Sequence, residues 1–265
     1  MRKSLIFTAL AAVLAGCGNQ TQTNQKADSL VLNDLDYFER QGVNVLIFSN
    51  DFNGGFNDEK NSGIEIIHHG VRTVQGGAVR LNNTPEQWDL VPKTIDRKVD
   101  HENKSIEVTL RYEDYDFDSR IVAQAKGNAV EISVFVDKPV PENLTDAGFN
   151  LEFLPSQYWG KTFLMDGRPN LLPKYAASQT VTRSNAEKPK QFKGFKTYDD
   201  RGTDRFVDPQ PLEVGHTLVM ASDCPERMIK VTSTDTDLKL YDGRMIAQNG
   251  WYVLRSVIPQ GKTGK

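Results

Sequence analysis

The chain has 265 residues, of which 25% are charged and 38% hydrophobic, and its 32 Lys and Arg against 35 Asp and Glu leave a net charge of -3. That balance excludes the broad basic surface that holds nucleic acid, and the composition is that of a globular protein with enough chain to bury a sizeable core. After the first apolar run no segment is long enough to span a bilayer as a helix.

The N-terminus reads as a bacterial lipoprotein signal. Arg2 and Lys3 supply positive charge, Leu5 to Leu14 form a short apolar run, and Leu14-Ala15-Gly16 stand directly before Cys17. A run of about ten residues is too short for a transmembrane helix and fits a signal peptide. The expectation is that residues 1–16 are removed and that the Cys17 thiol carries the lipid. The protein would then sit in the cell envelope, lipid-anchored, at the outer membrane on its periplasmic or surface side. Residues 17–29 are polar, with Gln20, Thr21, Gln22, Thr23, Asn24 and Gln25 in succession, and read as a tether. With Cys17 consumed, Cys224 has no intramolecular partner and reads as a structural thiol.

Strand signals then dominate residues 30–265. Short β-prone runs at Val43 to Phe48, Gly63 to Ile67, Gly70 to Val74 and Ala78 to Leu81 are punctuated by Gly54-Gly55 and Gly76-Gly77. One helix candidate lies at Thr84 to Trp88, where Thr84 suits a cap and Pro85 a first turn. Ile106, Val108, Leu110 and Tyr112 alternate with Glu107, Thr109, Arg111 and Glu113, and Val130, Ile132, Val134 and Val136 alternate with Glu131, Ser133 and Asp137, which is the period of a half-buried strand. Gly127-Asn128 suits a tight hairpin to the run Arg120 to Ala125, giving three consecutive antiparallel strands. Phe149 to Leu154, Lys161 to Met165, Leu212 to Ala221, Met228 to Thr232, Leu238 to Tyr241 and Gly250 to Val257 continue the series. The expectation is a single all-β domain with few short helices. It would be a large antiparallel β-sandwich, with a supersandwich of the galactose-mutarotase type as one form of it. Residues 176–211, including the basic stretch Lys188 to Lys193, offer little to bury and read as a long surface excursion.

Several polar groupings bear on chemistry. Asp114, Asp116 and Asp118 alternate and would share one face of an extended strand at about 7 Å intervals, a spacing open to calcium or to a carboxylate pair. The plainer reading is a charged strand end entering a turn. His68 and His69 would point to opposite faces and cannot chelate together without a bulge or turn. Asp51, Asn53, Asn57, Asp58 and Glu59 are rich in oxygen, but their glycines do not fall where an EF-hand places them. No metal, cofactor or catalytic residue is therefore expected. The aromatic residues carry the better signal: Tyr158 and Trp159 follow Pro155 in a segment read as loop, and exposed rings stack on the C–H faces of sugars. Trp88 and the pair Trp251-Tyr252 could serve likewise, although Trp251 lies in an alternating run. The carbohydrate-binding candidates are Tyr158, Trp159 and Trp88.

A family resemblance emerges from four distinctive segments: Asn44 to Asn50, Gly63 to Thr73 with its Ile67-His68-His69-Gly70 centre, Thr84 to Trp88, and Phe149 to Pro155. Together they resemble the N-terminal region of Bacteroidetes-type lipoproteins assigned to glycoside hydrolase family 9. The likeness runs from about Leu30 to the last residues, taking in Asn249 to Tyr252 and Pro259 to Gly264. It implies a β-sandwich that precedes an immunoglobulin-like module and a helical (α/α)6 barrel cleaving β-glucans. The catalytic carboxylates belong to that barrel, so the resemblance carries none onto this sequence. Proteins of this kind continue into another strand after the Lys262-Thr263-Gly264 turn, so a truncated C-terminal edge is expected. The implied function is a noncatalytic, membrane-anchored module that spaces an enzyme or assists its binding of a polysaccharide such as β-glucan. The alternative is a stand-alone glycosidase or sugar-modifying enzyme.

Overall fold

The structure, a computed structural model, describes residues 29–49, 63–81, 92–140, 147–175, 195–198, 204–207, 210–245 and 250–258. Its strands are β1 (Val31–Leu32), β2 (Phe38–Arg40), β3 (Val43–Ile47), β4 (Ile64–His68), β5 (Val71–Arg80), β6 (Lys93–Asp100), β7 (Ser105–Tyr112), β8 (Phe117–Lys126), β9 (Ala129–Val136) and β10 (Gly148–Phe153). A one-turn helix α1 (Pro155–Tyr158) precedes β11 (Thr162–Met165), β12 (Arg168–Leu171), β13 (Phe195–Tyr198), β14 (Asp204–Val207), β15 (Glu213–Gly215), β16 (Thr217–Met220), β17 (Ile229–Thr232), β18 (Leu238–Asp242) and β19 (Tyr252–Val257). Among the described residues nine strands form one sheet in the order β1-β2-β3-β4-β5-β10-β19-β18-β15. Two four-stranded sheets, β6-β7-β8-β9 and β12-β11-β16-β17, complete the layers, and β13 pairs with β14 as a separate hairpin. The all-β, antiparallel, sandwich-like architecture agrees with the alternation in the sequence.

Register shows why the layers meet as they do. Phe149 lies opposite Val79, Leu151 opposite Leu254, and Phe153 opposite Val74 and Tyr252, so these side chains share one face of the long sheet. Toward one end, that face contributes Phe38, Val45, Ile47 and Ile64 to a core closed by Ile106, Val108, Leu110 and Ile121 from β7 and β8. Toward the other, Leu151, Phe153, Leu240 and Leu254 meet Phe163, Met165, Leu218 and Met220 from β11 and β16. Ile66 and Phe149 pack against both cores and mark the seam between the two small sheets. The Tyr112 hydroxyl crosses the first core to the Val79 carbonyl, satisfying a polar group that burial would otherwise penalise.

The structure revises several expected elements. The runs at Gly70 to Val74 and Ala78 to Leu81 are one strand, β5, because Gly76 adopts φ +64° and absorbs a register shift instead of ending the strand. Conversely, Leu212 to Ala221 divides into β15 and β16, which join different sheets. Asp166 causes the division: its Oδ1 accepts the backbone N–H groups of His216 at 3.0 Å and Thr217 at 2.8 Å, turning the chain there. Those two bonds hold the Asp166 carboxyl below the usual carboxylate range. Strand β6 escapes the sequence pattern because Lys93, Ile95, Asp96, Lys98 and Asp100 are all exposed on an edge strand, with no dry stripe to read. Within the predicted excursion at 176–211, Phe195–Tyr198 and Asp204–Val207 pair as the β13–β14 hairpin. The helix candidate at Thr84 to Trp88 lies outside the described residues.

Candidate functional site

Tyr158 and Trp159 are neighbours in sequence with opposite fates. Pro155 occupies the first turn of α1, where its missing N–H costs nothing, so the segment expected as loop closes into a helical turn. That turn drives Tyr158 into the core at 0% exposure, its ring edge-on to Phe153 with centroids 5.3 Å apart. The Tyr158 hydroxyl donates to the Arg227 carbonyl at 3.2 Å, and burial pushes the hydroxyl above its ordinary range against the opposing influence of Thr73 and Arg227. Tyr158 therefore presents no face to a ligand, which corrects the expectation of an exposed ring.

Trp159 is 49% exposed. Its N–H donates to the Pro155 carbonyl at 2.8 Å, Gly160 donates to Leu172 at 2.8 Å with φ +68°, and Leu172 returns a bond to Lys161 at 2.9 Å. Arg227 Nε donates to Gln157 Oε1 at 3.2 Å, tying α1 to the chain between β16 and β17. The indole thus projects from backbone that is bonded on both sides and rooted through Tyr158. A ring held in this way loses little freedom when it stacks on a sugar.

His68 lies beneath this mount, buried at the end of β4. Its Nδ1 is 2.8 Å from Thr73 Oγ1, and the Thr73 hydroxyl donates to the Ile66 carbonyl at 3.2 Å. With that proton committed, Nδ1 of the neutral imidazole is the donor. Burial first, then Arg227, His69 and Arg40, lower the His68 pKa to about 4, so the ring is neutral at pH 7. His69 lies in the following turn with φ +48°, and the two rings do not form a joint chelate.

The face of the long sheet turned away from both cores holds a polar grid that sequence reasoning missed. Asn150 sits opposite Arg255, and Glu152 lies between Gln75 on β5 and Val253 on β19. Arg255 is fully buried and donates from Nε to Asn150 Oδ1 at 2.8 Å. Glu152 is 7% exposed, with Gln75 Nε2 at 3.4 Å and Arg80 Nη2 at 3.6 Å from its carboxyl oxygens. Burial raises the Glu152 pKa, and Arg80, Gln75 and Arg255 oppose the shift. On β4 the buried Glu65 pairs with Arg72 at 3.4 Å. The signal in the sequence is Asn150 and Glu152 at every second place of Phe149 to Phe153, which alternation alone assigns to water, and a single Arg255 between Val253 and Val257 in its own strand.

Gly76 provides the space for Glu152. A Cβ there would stand 2.5 Å from Glu152 Oε2, and the backbone conformation already disfavours an L side chain. Gly76→Ala is expected to destabilise the fold by at least about 1 to 2 kcal/mol, the cost of the left-handed conformation before any displacement of the carboxylate. A urea midpoint equal to that of the native chain would contradict this.

The remaining candidates separate. Glu113–Tyr115 form a 3-10 turn and Asp116 takes φ +45°, so Asp114, Asp116 and Asp118 do not share one extended strand. Asp116 pairs with Arg111 and Lys138, and Asp118 with Arg111 at 2.9 Å, as a charged strand end entering a turn does. Cys224 is a half-buried free thiol packed against the second core. Trp251 is half-buried and Tyr252 is a core residue whose hydroxyl donates to the Pro173 carbonyl. Among the described residues no group of His, Cys, Asp and Glu is arranged to hold a metal ion, and no helix is long and apolar enough to cross a membrane. Cys17, Trp88 and the Asp51 to Glu59 stretch lie outside the described residues. Comparison of the chain with family models, with curated proteins and with solved structures finds no match.

Proposed function

We propose that this chain is a noncatalytic glycan-binding module, anchored in the cell envelope through Cys17, that assists a glycoside hydrolase in polysaccharide breakdown. The observation that carries the reading is Trp159, a half-exposed indole on a backbone mount fixed by Pro155, Gly160 and Leu172. The sequence resemblance described above supports the glycan as ligand class, and β-glucan is the first to test.

Pure chain incubated with β-glucan and xyloglucan is expected to bind without releasing reducing sugar. Trp159→Ala removes a half-exposed ring that belongs to neither core, so its melting temperature is expected to stay close to the native value. Its affinity falls about tenfold, the equivalent of roughly 1 to 2 kcal/mol. Binding indifferent to Trp159→Ala overturns the site.

One observation favours a second reading, a sugar-modifying enzyme. Glu152 and Glu65 point to the same side of the long sheet from strands two apart, a backbone separation of about 10 Å. Two carboxyls flanking a sugar, one with a raised pKa, are the requirement of glycoside hydrolysis. Turnover by the pure chain that Glu152→Gln abolishes would establish this reading and overturn the noncatalytic one.

A further inference from the structure

We infer that Tyr175 is a second stacking ring beside Trp159, and that the two together take an extended stretch of a linear glycan in preference to a mono- or disaccharide. The inference rests on the Trp159 reading above and specifies the substrate class of the same site.

Both rings leave the sandwich at one end of the long sheet. Phe153 closes β10, Tyr252 opens β19 opposite it, and Asp242 closes β18 opposite Tyr252. Trp159 follows α1, whose Tyr158 ring packs edge-on against Phe153. Pro173, two residues before Tyr175, lies against the next strand, because its carbonyl accepts the Tyr252 hydroxyl. The two segments are also joined to each other. Gly160 N–H donates to the Leu172 carbonyl at 2.8 Å, and Leu172 N–H to the Lys161 carbonyl at 2.9 Å. Three residues carry the backbone at most about 10 Å from Leu172 to Tyr175. The rings are therefore neighbours rooted on different strands, and among the described residues neither pairs with another aromatic ring.

Each ring has a bonded mount. Trp159 takes the second place of a tight turn with φ -56° and ψ 140°, Gly160 the third with φ +68°, and Lys161 N–H donates back to the Tyr158 carbonyl at 3.1 Å. Tyr175 is held through the two carbonyls ahead of it. Arg244 Nη1 donates to the Lys174 carbonyl at 2.8 Å and Nη2 to the Pro173 carbonyl. Asp242 in turn clamps Arg244, accepting Nε on Oδ1 at 2.9 Å and Nη2 on Oδ2 at 2.8 Å. The Lys174 ammonium stands 5.5 Å over the centroid of the Tyr175 ring, and Tyr175 is still 77% exposed. A ring so open belongs to neither core, and its placement gains nothing for the fold.

Two rings rooted apart suit a chain of sugars better than a single sugar. Once Trp159 has stacked on one unit, Tyr175 meets a later unit of the same chain at high effective concentration. The second contact then adds affinity without a second loss of translational freedom. Lys174 adds donors for sugar hydroxyls beside its ring. A disaccharide that covers one ring leaves the other empty.

Calorimetry on the full chain with cellobiose, cellotetraose and cellohexaose tests this in the native form, Trp159→Ala, Tyr175→Ala and Tyr175→Phe. Native affinity should rise about tenfold or more from cellobiose to cellohexaose. Tyr175→Ala should cut cellohexaose affinity about tenfold and leave cellobiose, held by the indole, within about twofold of native. Tyr175→Phe keeps the ring and should stay near native for all three. Melting temperatures should be unchanged in both variants, so that a lower affinity reports a lost contact. Cellobiose too weak to measure beside firm cellohexaose binding accords with the inference. Cellohexaose binding that Trp159→Ala weakens and Tyr175→Ala does not overturns the second ring and leaves the Trp159 reading standing. An equal loss for cellobiose and cellohexaose in Tyr175→Ala, or native affinity that does not grow with length, overturns the preference for an extended chain. Cellohexaose that fails to bind, or binds alike to the native chain and both alanine variants, overturns both readings.

Discussion

Arg255→Ala is expected to lower the unfolding free energy by about 1 to 3 kcal/mol, the usual cost when a buried acceptor loses its hydrogen-bond donor. Arg255 is fully buried on β19, and its Nε bond to Asn150 joins two strands whose residues lie 105 apart in sequence. Removal leaves Asn150 Oδ1 without its donor and takes a cation from the surroundings of the buried Glu152. The aliphatic stem also lies close to Gly148, so the variant removes packing there. Arg255→Lys retains the charge without the planar fork and should lose less. Urea unfolding measures both, and a loss under about 1 kcal/mol in Arg255→Ala would show that the grid contributes little to stability.

The second large effect is a loss of stability in mild acid that traces to His68. Its folded pKa of about 4 lies below the unfolded value of 6.5, so between these limits the unfolded chain binds more protons than the native one. Stability therefore rises with pH across that window and falls as pH drops through it. The loss between pH 7 and pH 4.5 is expected to be about 2 kcal/mol. Glu152 acts in the opposite sense, since its raised pKa favours the native state until pH rises through it. The exposed Asp100, Asp116 and Asp166, whose carboxyls are held low, lose their contributions only in stronger acid. His68→Gln separates these effects: it keeps a donor for Thr73 and removes the proton uptake. Its stability should be flatter from pH 7 to 4.5 than that of the native chain, and parallel curves would exclude His68 as the source.

The strands from Ser105 to Val136 were legible in the sequence because each has one dry and one wet face, and Gly127-Asn128 places the turn between two of them. The polar grid was not. Glu152 occupies the polar phase of its strand and Arg255 an apolar one between Val253 and Val257, and alternation states which residues share a face without stating whether a face is covered. Which strands become neighbours is also decided by long-range packing, so Gln75, Glu152 and Arg255 could not be joined from local pattern. At the aromatic pair local pattern read both rings alike, and only the helical turn begun by Pro155 separates the buried Tyr158 from the exposed Trp159. Edge strand β6 was invisible for a different reason, since most of its side chains face solvent.

Hydroxyl-radical footprinting with and without saturating cellohexaose reads the occupancy of the indole itself. Trp159 is accessible in the free chain, and Ile95, 54% exposed on the edge strand β6, supplies an internal reference remote from the site. If glycan stacks on Trp159, oxidation at that residue falls severalfold on binding while oxidation of Ile95 is unchanged. Equal oxidation of Trp159 in the free and saturated chain would contradict glycan recognition by this ring.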